Sequence, residues 1–137
     1  MLKNAIFIDT SGYFALLSKT DKNHRKAISI LQKVQKSRRQ FLTTEAVLSE
    51  TATLLMARGF GYLAEHLFTN ILESEITKLE YNNSERMNFT RSYFLKTLDQ
   101  GYSFCDCFSF IIMKEFAVKE ALSSDDHFTK AGFTKLL

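Results

Sequence analysis

The sequence predicts an α/β fold with a mostly parallel central sheet. Residues 5–8 form a short apolar run without polar alternation, which is typical of a strand buried on both faces. Segments with helical apolar spacing separate such runs, and strands that alternate with helices favour a parallel sheet. At 137 residues, 45% apolar and 24% charged, the chain has the size and composition of one globular domain. We therefore expect a single domain over residues 1–137 and exclude a disordered or fibrous protein.

The first half of the chain contains two predicted strands and three predicted helices. Residues 5–8 end at three residues that commonly cap helices, so a helix is expected to begin there. Apolar residues recur at helical spacing from Asn23 to about Ser37, and charged residues surround that stripe. A second short strand is predicted at 41–43. The helix predicted over 44–58 ends at a glycine.

The second half of the chain repeats this alternation. Turn-forming glycines and helix-capping Asn and Ser residues mark the boundaries between its segments. The expected elements are a helix over 62–72, a strand over 76–81, a helix from residue 83 or 84 through Leu98, a helix from Ser103 through Phe116, a strand over 119–122 and a polar loop over 123–126.

Charge and cysteine usage limit the function classes. The net charge is +3, but residues 1–60 carry ten basic and four acidic residues, whereas the remainder carries eight and eleven. A basic half is compatible with a polyanionic substrate or with a solvated helix face. Cys105 and Cys107 are too few for a disulfide framework or a cysteine-based zinc site. No signal peptide or membrane span is evident, so we expect a cytoplasmic protein without membrane association.

Four acidic positions are candidates for chemistry, and each also has a simple structural explanation. Asp9 directly follows the first strand and suits a helix N-cap. Glu50 lies at the edge of an apolar stripe, from which it can reach solvent. Asp106 stands three residues after a serine, in a capping-box pattern. Asp125 and Asp126 occupy a turn-like loop, where aspartate is common for local reasons.

The placement of these acids together is more informative than any one of them. Asp9 and Asp125 each follow a predicted strand, and the carboxyl ends of parallel strands form the usual site in α/β folds. Glu50 and Asp106 belong to helices that are expected to pack on the same sheet. Four converging carboxylates repel one another unless they bind a hard divalent cation such as Mg²⁺ or Mn²⁺. Such sites are suited to phosphodiester hydrolysis.

With these acids in place, the sequence resembles the PIN-domain ribonucleases, of the kind that act as toxins in VapBC toxin–antitoxin pairs. The resemblance spans almost the whole chain, and its motifs occur in the family's order and spacing. The stretches that carry it are Ile6–Ser11, Thr43–Thr44 through Leu48–Thr51, Tyr102–Cys107, and Ala121–Phe128 with Ala131–Phe133.

The resemblance implies a three-layer α/β/α sandwich and a metal-dependent endoribonuclease site. It assigns the catalytic and metal-binding acids to Asp9, Glu50, Asp106 and Asp125. Asp125 is preferred over Asp126 because the family's acid stands two residues before a His-Phe pair. In this interpretation Asp9 and Asp106 hold the principal Mg²⁺ or Mn²⁺, and Glu50 and Asp125 complete the pocket. Without metal, at least one carboxylate is expected to be protonated near neutral pH.

The resemblance also implies supporting residues and partners. The hydroxyl groups of Thr10, Ser11 and Ser124 are candidates to support the waters of the site. Cys105 departs from the pattern, because Thr or Ser usually precedes the third acid. A toxin of this kind cuts RNA to leave a 5′-phosphate and a 3′-hydroxyl, forms a homodimer and is blocked by a small antitoxin protein. The short chain favours the toxin over a stand-alone housekeeping ribonuclease.

Other interpretations of the sequence remain open. A catalytically silent PIN module that binds RNA or a protein partner is the main alternative. An aspartyl phosphatase or phosphotransferase is less favoured, because Ser11 stands where the haloacid-dehalogenase pattern requires a second aspartate. The basic run at 33–39 is compatible with phosphate contacts or with a solvated face. His127 is interpreted as a loop-packing or substrate-edge residue.

Overall fold

Five parallel strands form the central sheet of the computed structural model, which describes Leu2 and residues 4–137. The strand order in the sheet is β3-β2-β1-β4-β5, with Ile6 opposite both Phe41 and Glu120. The predicted parallel sheet is therefore confirmed. The strands are β1 (Ile6–Ile8), β2 (Phe41–Thr44), β3 (Thr77–Glu80), β4 (Glu120–Leu122) and β5 (Thr134–Lys135).

Helices cover both faces of this sheet. The first four contact one another, and α5 packs on α6. The first group connects β1 to β2 and β2 to β3, and the second connects β3 back to β4 on the other side of β1, so the right-handed crossovers usual in parallel sheets put the two groups on opposite faces. This arrangement confirms the predicted three-layer α/β/α sandwich. The helices are α1 (Thr10–Leu17), α2 (His24–Gln35), α3 (Glu45–Ala57), α4 (Ala64–Leu72), α5 (Ser84–Lys96), α6 (Phe104–Glu115) and α7 (Asp126–Lys130).

The structure differs from the sequence-based elements at two places. Helix α5 ends at Lys96, not Leu98, and a 3-10 turn over Leu98–Gln100 leads to Gly101, whose φ of 74° is left-handed. The polar loop predicted over 123–126 already contains the start of α7, and the edge strand β5 follows it. In the part of the chain that the structure describes, no helix is both long enough and apolar enough to cross a bilayer.

The connections of the sheet determine where a site can form. All residues of β1 and β2 are buried, as expected for central strands of a covered parallel sheet. The chain leaves β1 toward β2 on one side, and β4 returns to pair with β1 on the other side. This reversal of direction opens a crevice at the carboxyl ends of β1 and β4. Asp9 and Ser123 directly follow these two strands and therefore lie at that crevice.

Candidate active site

A cavity of about 330 Å³ opens at the carboxyl ends of β1 and β4. The four acids proposed from the sequence, Asp9, Glu50, Asp106 and Asp125, all line it. They come from four different places in the chain: the ends of β1 and β4 and the helices α3 and α6. The fold therefore brings together carboxylates that are separated by up to 116 positions in the sequence.

Asp9 is buried, with 9% of its surface exposed, and its carboxylate accepts three hydrogen bonds. Oδ1 accepts one from the backbone N–H of Gly12 at 2.9 Å and one from the hydroxyl of Ser11 at 2.8 Å. Oδ2 accepts one from the hydroxyl of Ser123 at 2.7 Å. Asp9 is thus the N-cap of α1 as well as a wall of the cavity, so its two interpretations from the sequence are compatible.

Burial changes the protonation of Asp9. Loss of hydration raises the pKa of this carboxyl group to about 6, although the hydrogen bonds from Ser123, Gly12 and Ser11 oppose the rise. The negative charge of Asp125 raises the pKa further. Proton binding by this carboxyl group is thus shifted to about pH 6, toward neutrality, which is the direction expected for a metal-free acidic site.

Glu50 is exposed on α3, and its carboxylate is oriented by the first helix. The hydroxyl of Thr10 donates a hydrogen bond of 2.6 Å to Oε1 of Glu50. The hydroxyl of Thr51 lies 3.1 Å from that of Thr10 and supports it from the buried side of α3. The exposure of Glu50 agrees with the position that the sequence predicted for it, at the edge of the apolar stripe of this helix. Its hydrogen bond with Thr10 connects it to the residue that follows Asp9.

Asp106, Asp125 and His127 form the tightest group of ligand-type atoms among the described residues, all within 4.8 Å of one another. Nδ1 of His127 lies 3.0 Å from Oδ2 of Asp106 and 3.7 Å from Oδ1 of Asp125. Asp106 also completes the capping box of α6 with Ser103, as the Ser-x-x-Asp spacing predicted. The imidazole ring packs edge-on against Tyr102 at 5.2 Å, which fixes its orientation.

The two adjacent aspartates differ in environment. Asp125 caps α7 through the backbone N–H of His127 and lines the cavity. The side chain of Asp126 is 88% exposed and pairs with Lys135 at 2.7 Å, which lowers the pKa of its carboxyl group. Of the two, only Asp125 faces the other acids, as the sequence pattern suggested.

Two of the three hydroxyl candidates have direct contacts to the acids. Thr10 donates to Glu50 and Ser11 donates to Asp9. Ser124 lines the cavity, and its backbone N–H donates to the hydroxyl of Ser11 at 3.0 Å. The sequence analysis missed Ser123, whose buried hydroxyl donates to Asp9 and accepts from the backbone N–H of Asp125 at 3.0 Å.

Cys105 lines the cavity at the position where the family pattern has a hydroxyl residue. Burial raises the pKa of its thiol to about 12, and the charges of Glu50, Asp106 and Asp9 add to the rise. The thiol is therefore protonated at neutral pH, and both cysteines of the chain are free. The substitution removes a hydroxyl from the site and leaves all four carboxylates in place.

The basic run at 33–39 lies at the opposite end of the sheet from the acids. Arg39 forms an ion pair with Glu120, the first residue of β4, and donates a hydrogen bond to the carbonyl of Asn4. These residues precede the strands, whereas the acids at the strand ends follow them. A contact between this run and RNA at the acidic cavity is therefore not supported by the geometry.

Comparison with known proteins agrees with this architecture. No family model matches the chain. The chain is 29% identical over 132 residues to the 23S rRNA-specific endonuclease VapC20 of Mycobacterium tuberculosis, in strains CDC 1551 and H37Rv, covering 96% of this chain and 97% of each relative. The crystal structure of M. tuberculosis VapC20, described as a sarcin-ricin loop cleaving toxin, superimposes with a TM-score of 0.84. That match has 27% identity and covers 95% of this chain and 97% of the other. Similarity in sequence and fold along nearly the whole chain therefore confirms the resemblance to VapC proteins of the PIN-domain type.

Proposed function

We propose that the protein is a metal-dependent endoribonuclease that acts as the toxin of a type II toxin–antitoxin pair. The observation that carries this proposal is the convergence of four carboxylates on one cavity at the switch point of the sheet. Among the described residues, none of the four forms an ion pair with lysine or arginine. A bound cation would stabilise such a cluster, in which Asp9 is buried and the other three carboxylates are at least partly exposed.

The donor set fits a hard divalent cation. Asp9, Glu50, Asp106 and Asp125 offer carboxylate oxygens, which are the ligands that Mg²⁺ and Mn²⁺ prefer. These four residues would hold the ion. When bound, it lowers the pKa of water and stabilises the negative charge that develops on a phosphodiester in the transition state.

The residues around the acids hold them in place for this reaction. Ser11, Ser123 and Gly12 fix both oxygens of Asp9, and Thr10 orients Glu50. One of the carboxylates orients the attacking water and takes up its proton. Water adds to phosphorus, the bond from phosphorus to the 3′ oxygen breaks, and that oxygen takes up a proton from solvent, which leaves a 5′-phosphate and a 3′-hydroxyl.

The names of the relatives support a proposal for the substrate. Because VapC20 is described as a 23S rRNA-specific, sarcin-ricin loop cleaving protein, we propose a structured RNA as substrate. A small antitoxin and a second copy of the chain are the proposed protein partners. Exposed apolar side chains on α4 and α5, such as Phe68, Leu72, Phe89 and Leu95, support the presence of such interfaces.

Cleavage by purified protein tests the function. We expect the wild-type protein to cut a structured ribosomal RNA fragment in Mg²⁺ or Mn²⁺ and to be inactive in chelator. Asp106→Asn removes one charge from the cavity and should reduce the rate by about a hundredfold or more, since a metal ligand is lost. Asp126→Asn is the matched control, because its side chain pairs with Lys135 outside the cavity.

Two results would contradict the proposal. If clean, folded and antitoxin-free protein cuts no RNA, the chain is a binding module. If Asp106→Asn cuts as fast as the wild type, the acid assignment is wrong. The toxin role has a separate test, in which expression of the protein arrests growth and co-expression of the product of an adjacent small reading frame restores it.

A further inference from the structure

One arginine lines the acidic cavity. Arg58 follows α3 as its C-cap, and within the described residues it is the one lysine or arginine among the cavity-lining side chains. Its guanidinium lies over the ring of Phe14, 5.1 Å from the ring centroid. No carboxylate of the described chain lies within ion-pair distance of it. Arg58 therefore shares the cavity with five carboxylates, those of Asp21 and of the four acids described above, and forms an ion pair with none of them.

The position of Arg58 is fixed by its surroundings. Its backbone N–H donates to the carbonyl of Leu54 at 3.0 Å, which ends the helix, and Gly59 then turns the chain with a φ of 81°. Phe14 is buried in α1, and Phe60 packs edge-on against it at 6.5 Å. A guanidinium held over an aromatic face keeps its N–H groups free at the ring's outer side. Arg58 itself is exposed, so those N–H groups are accessible at the mouth of the cavity.

The phosphates of an RNA substrate are repelled by the carboxylates of the cavity, and a positive charge at the rim of the cavity reduces this repulsion. Each phosphate that approaches the cavity carries a negative charge toward five carboxylates, and a bound cation compensates only the reacting group. The neighbouring phosphates need a second source of positive charge. A fixed guanidinium suits this task, because it binds phosphate oxygens in a bidentate manner.

We propose that Arg58 binds a phosphate of the RNA that flanks the cleaved bond, and that Phe14 holds its guanidinium for that contact. This proposal rests on the proposed nuclease function for the identity of the substrate. It makes Arg58 a substrate-binding residue of the reaction, distinct from the four acids. The juxtaposition that carries it is a single unpaired arginine, held on an aromatic ring, at the rim of an acidic cavity.

Binding measured without cleavage tests the contact directly. In the Asp106→Asn background, the dissociation constant for a fluorescent single-stranded RNA is measured by anisotropy over a range of salt concentrations. Arg58→Gln should weaken binding about tenfold, as expected for loss of one charge-assisted contact. The slope of log K against log salt should decrease by roughly 0.7, the value for one phosphate of a single strand. Arg58→Lys should keep the slope and recover part of the affinity.

Arg91→Gln is the matched control, because Arg91 is exposed on α5 and removal of its charge alters the net charge equally. Thermal unfolding of each variant verifies that it is folded. In cleavage assays of the otherwise wild-type protein, Arg58→Gln should raise KM about tenfold and change kcat little.

The outcomes separate the two proposals. Equal affinities and salt slopes for Arg58→Gln and Arg91→Gln would overturn the phosphate contact, even if the protein is a nuclease. A wild-type protein that cuts no RNA would overturn the nuclease function and with it the cleaved bond, while a salt slope that depends on Arg58 would still support a contact between Arg58 and an RNA phosphate. A decrease in kcat with unchanged KM and slope would assign Arg58 to structure, against the proposal.

Discussion

Three of the four acids at the site stabilise the start of a helix as well as facing the cavity. Asp9 caps α1, Asp106 completes the capping box of α6 and Asp125 caps α7. The same three carboxylates line the cavity, so capping a helix and belonging to the site are compatible. A capping pattern in the sequence is therefore no argument against a functional role. Glu50 differs, because it lies within α3 and depends on the hydroxyl of Thr10 for its orientation.

The raised pKa of Asp9 makes the stability of the metal-free protein depend on pH. Its pKa rises from the ordinary value of 3.8 to about 6 in the folded protein, chiefly through burial. Between these values the folded state binds the proton and the unfolded state does not, so stability falls as pH rises from about 4 to about 6. Above pH 6 the carboxyl group is ionised in both the folded and the unfolded state. Burial of its charge then lowers the free energy of unfolding by on the order of 3 kcal/mol. Below pH 4 the carboxyl group is protonated in both states, so it no longer makes the stability depend on pH.

Asp9→Asn should remove this cost. We expect the variant to be more stable than the wild type at pH 8 in chelator, by about 2 kcal/mol, since part of the gain is offset by weaker hydrogen bonds to a neutral amide. The advantage should disappear near pH 4. Denaturant unfolding at both pH values measures the difference. Parallel stability curves for the two proteins across this range would show that the charge of Asp9 is not destabilising.

At the scale of the elements, the contact between α1 and the sheet leaves no room for a side chain at one position. A Cβ atom added to Gly12 would lie 2.1 Å from the backbone carbonyl oxygen of Leu122 and 2.9 Å from Cγ2 of Ile8. Neither the strand nor the helix can move without displacing Asp9, whose carboxylate accepts the N–H of Gly12. The close approach of α1 to β1 and β4 is therefore a condition for the geometry of the site.

Gly12→Ala should destabilise the fold strongly. The clash involves backbone of a central strand, so we expect a loss of about 3 kcal/mol or more despite the better helix propensity of alanine. Thermal unfolding measures the loss. Gly61→Ala is the control, because its nearest neighbour is the flexible side chain of Met56 at 3.4 Å and the change should be close to neutral. A Gly12→Ala protein as stable as this control would mean that α1 lies farther from the sheet.

The elements that the sequence analysis predicted are those with a clear period or a continuous apolar run. The buried strand at 6–8 and the helix over 24–35 have such signals. Strand β5 has two residues and α7 has five, which are too short for any periodicity to be visible. The end of α5 at Lys96 was missed because Phe94 and Leu98 continue the apolar spacing across the break.

The convergence of the four acids on one cavity could be predicted because each stands at a strand end or beside an apolar stripe and matches a family motif. Ser123 and Arg58 were missed for a different reason. The contact between Ser123 and Asp9 joins residues 114 positions apart, and nothing local to either residue indicates it. In the sequence, Arg58 is an ordinary basic residue at the end of a helix, and only the structure shows that it lies over Phe14. Long-range pairings of this kind depend on the topology of the sheet.

At the scale of the whole molecule, the site joins parts of the chain that are otherwise separate. The carboxylates come from the ends of β1 and β4 and from helices on both faces of the sheet. In the absence of a cation their repulsion opposes the packing of these elements. A cation held by these carboxylates, as proposed above, would have no comparable site in the unfolded chain, so its binding free energy would add to the stability of the fold.

Divalent cations should therefore stabilise the protein. At a concentration one hundred times the dissociation constant, Mg²⁺ or Mn²⁺ should add about 3 kcal/mol to the free energy of unfolding at pH 7.5. For a chain of this size that corresponds to a rise in Tm on the order of 10 °C. Scanning calorimetry measures the shift against NaCl of equal ionic strength. The rise should be smaller at pH 5, where Asp9 binds a proton that competes with the cation.

The Asp106→Asn variant should lose most of the shift in Tm and Asp126→Asn should keep it, because only the former removes a charge from the cavity. Equal shifts in both variants would place the cation elsewhere on the molecule.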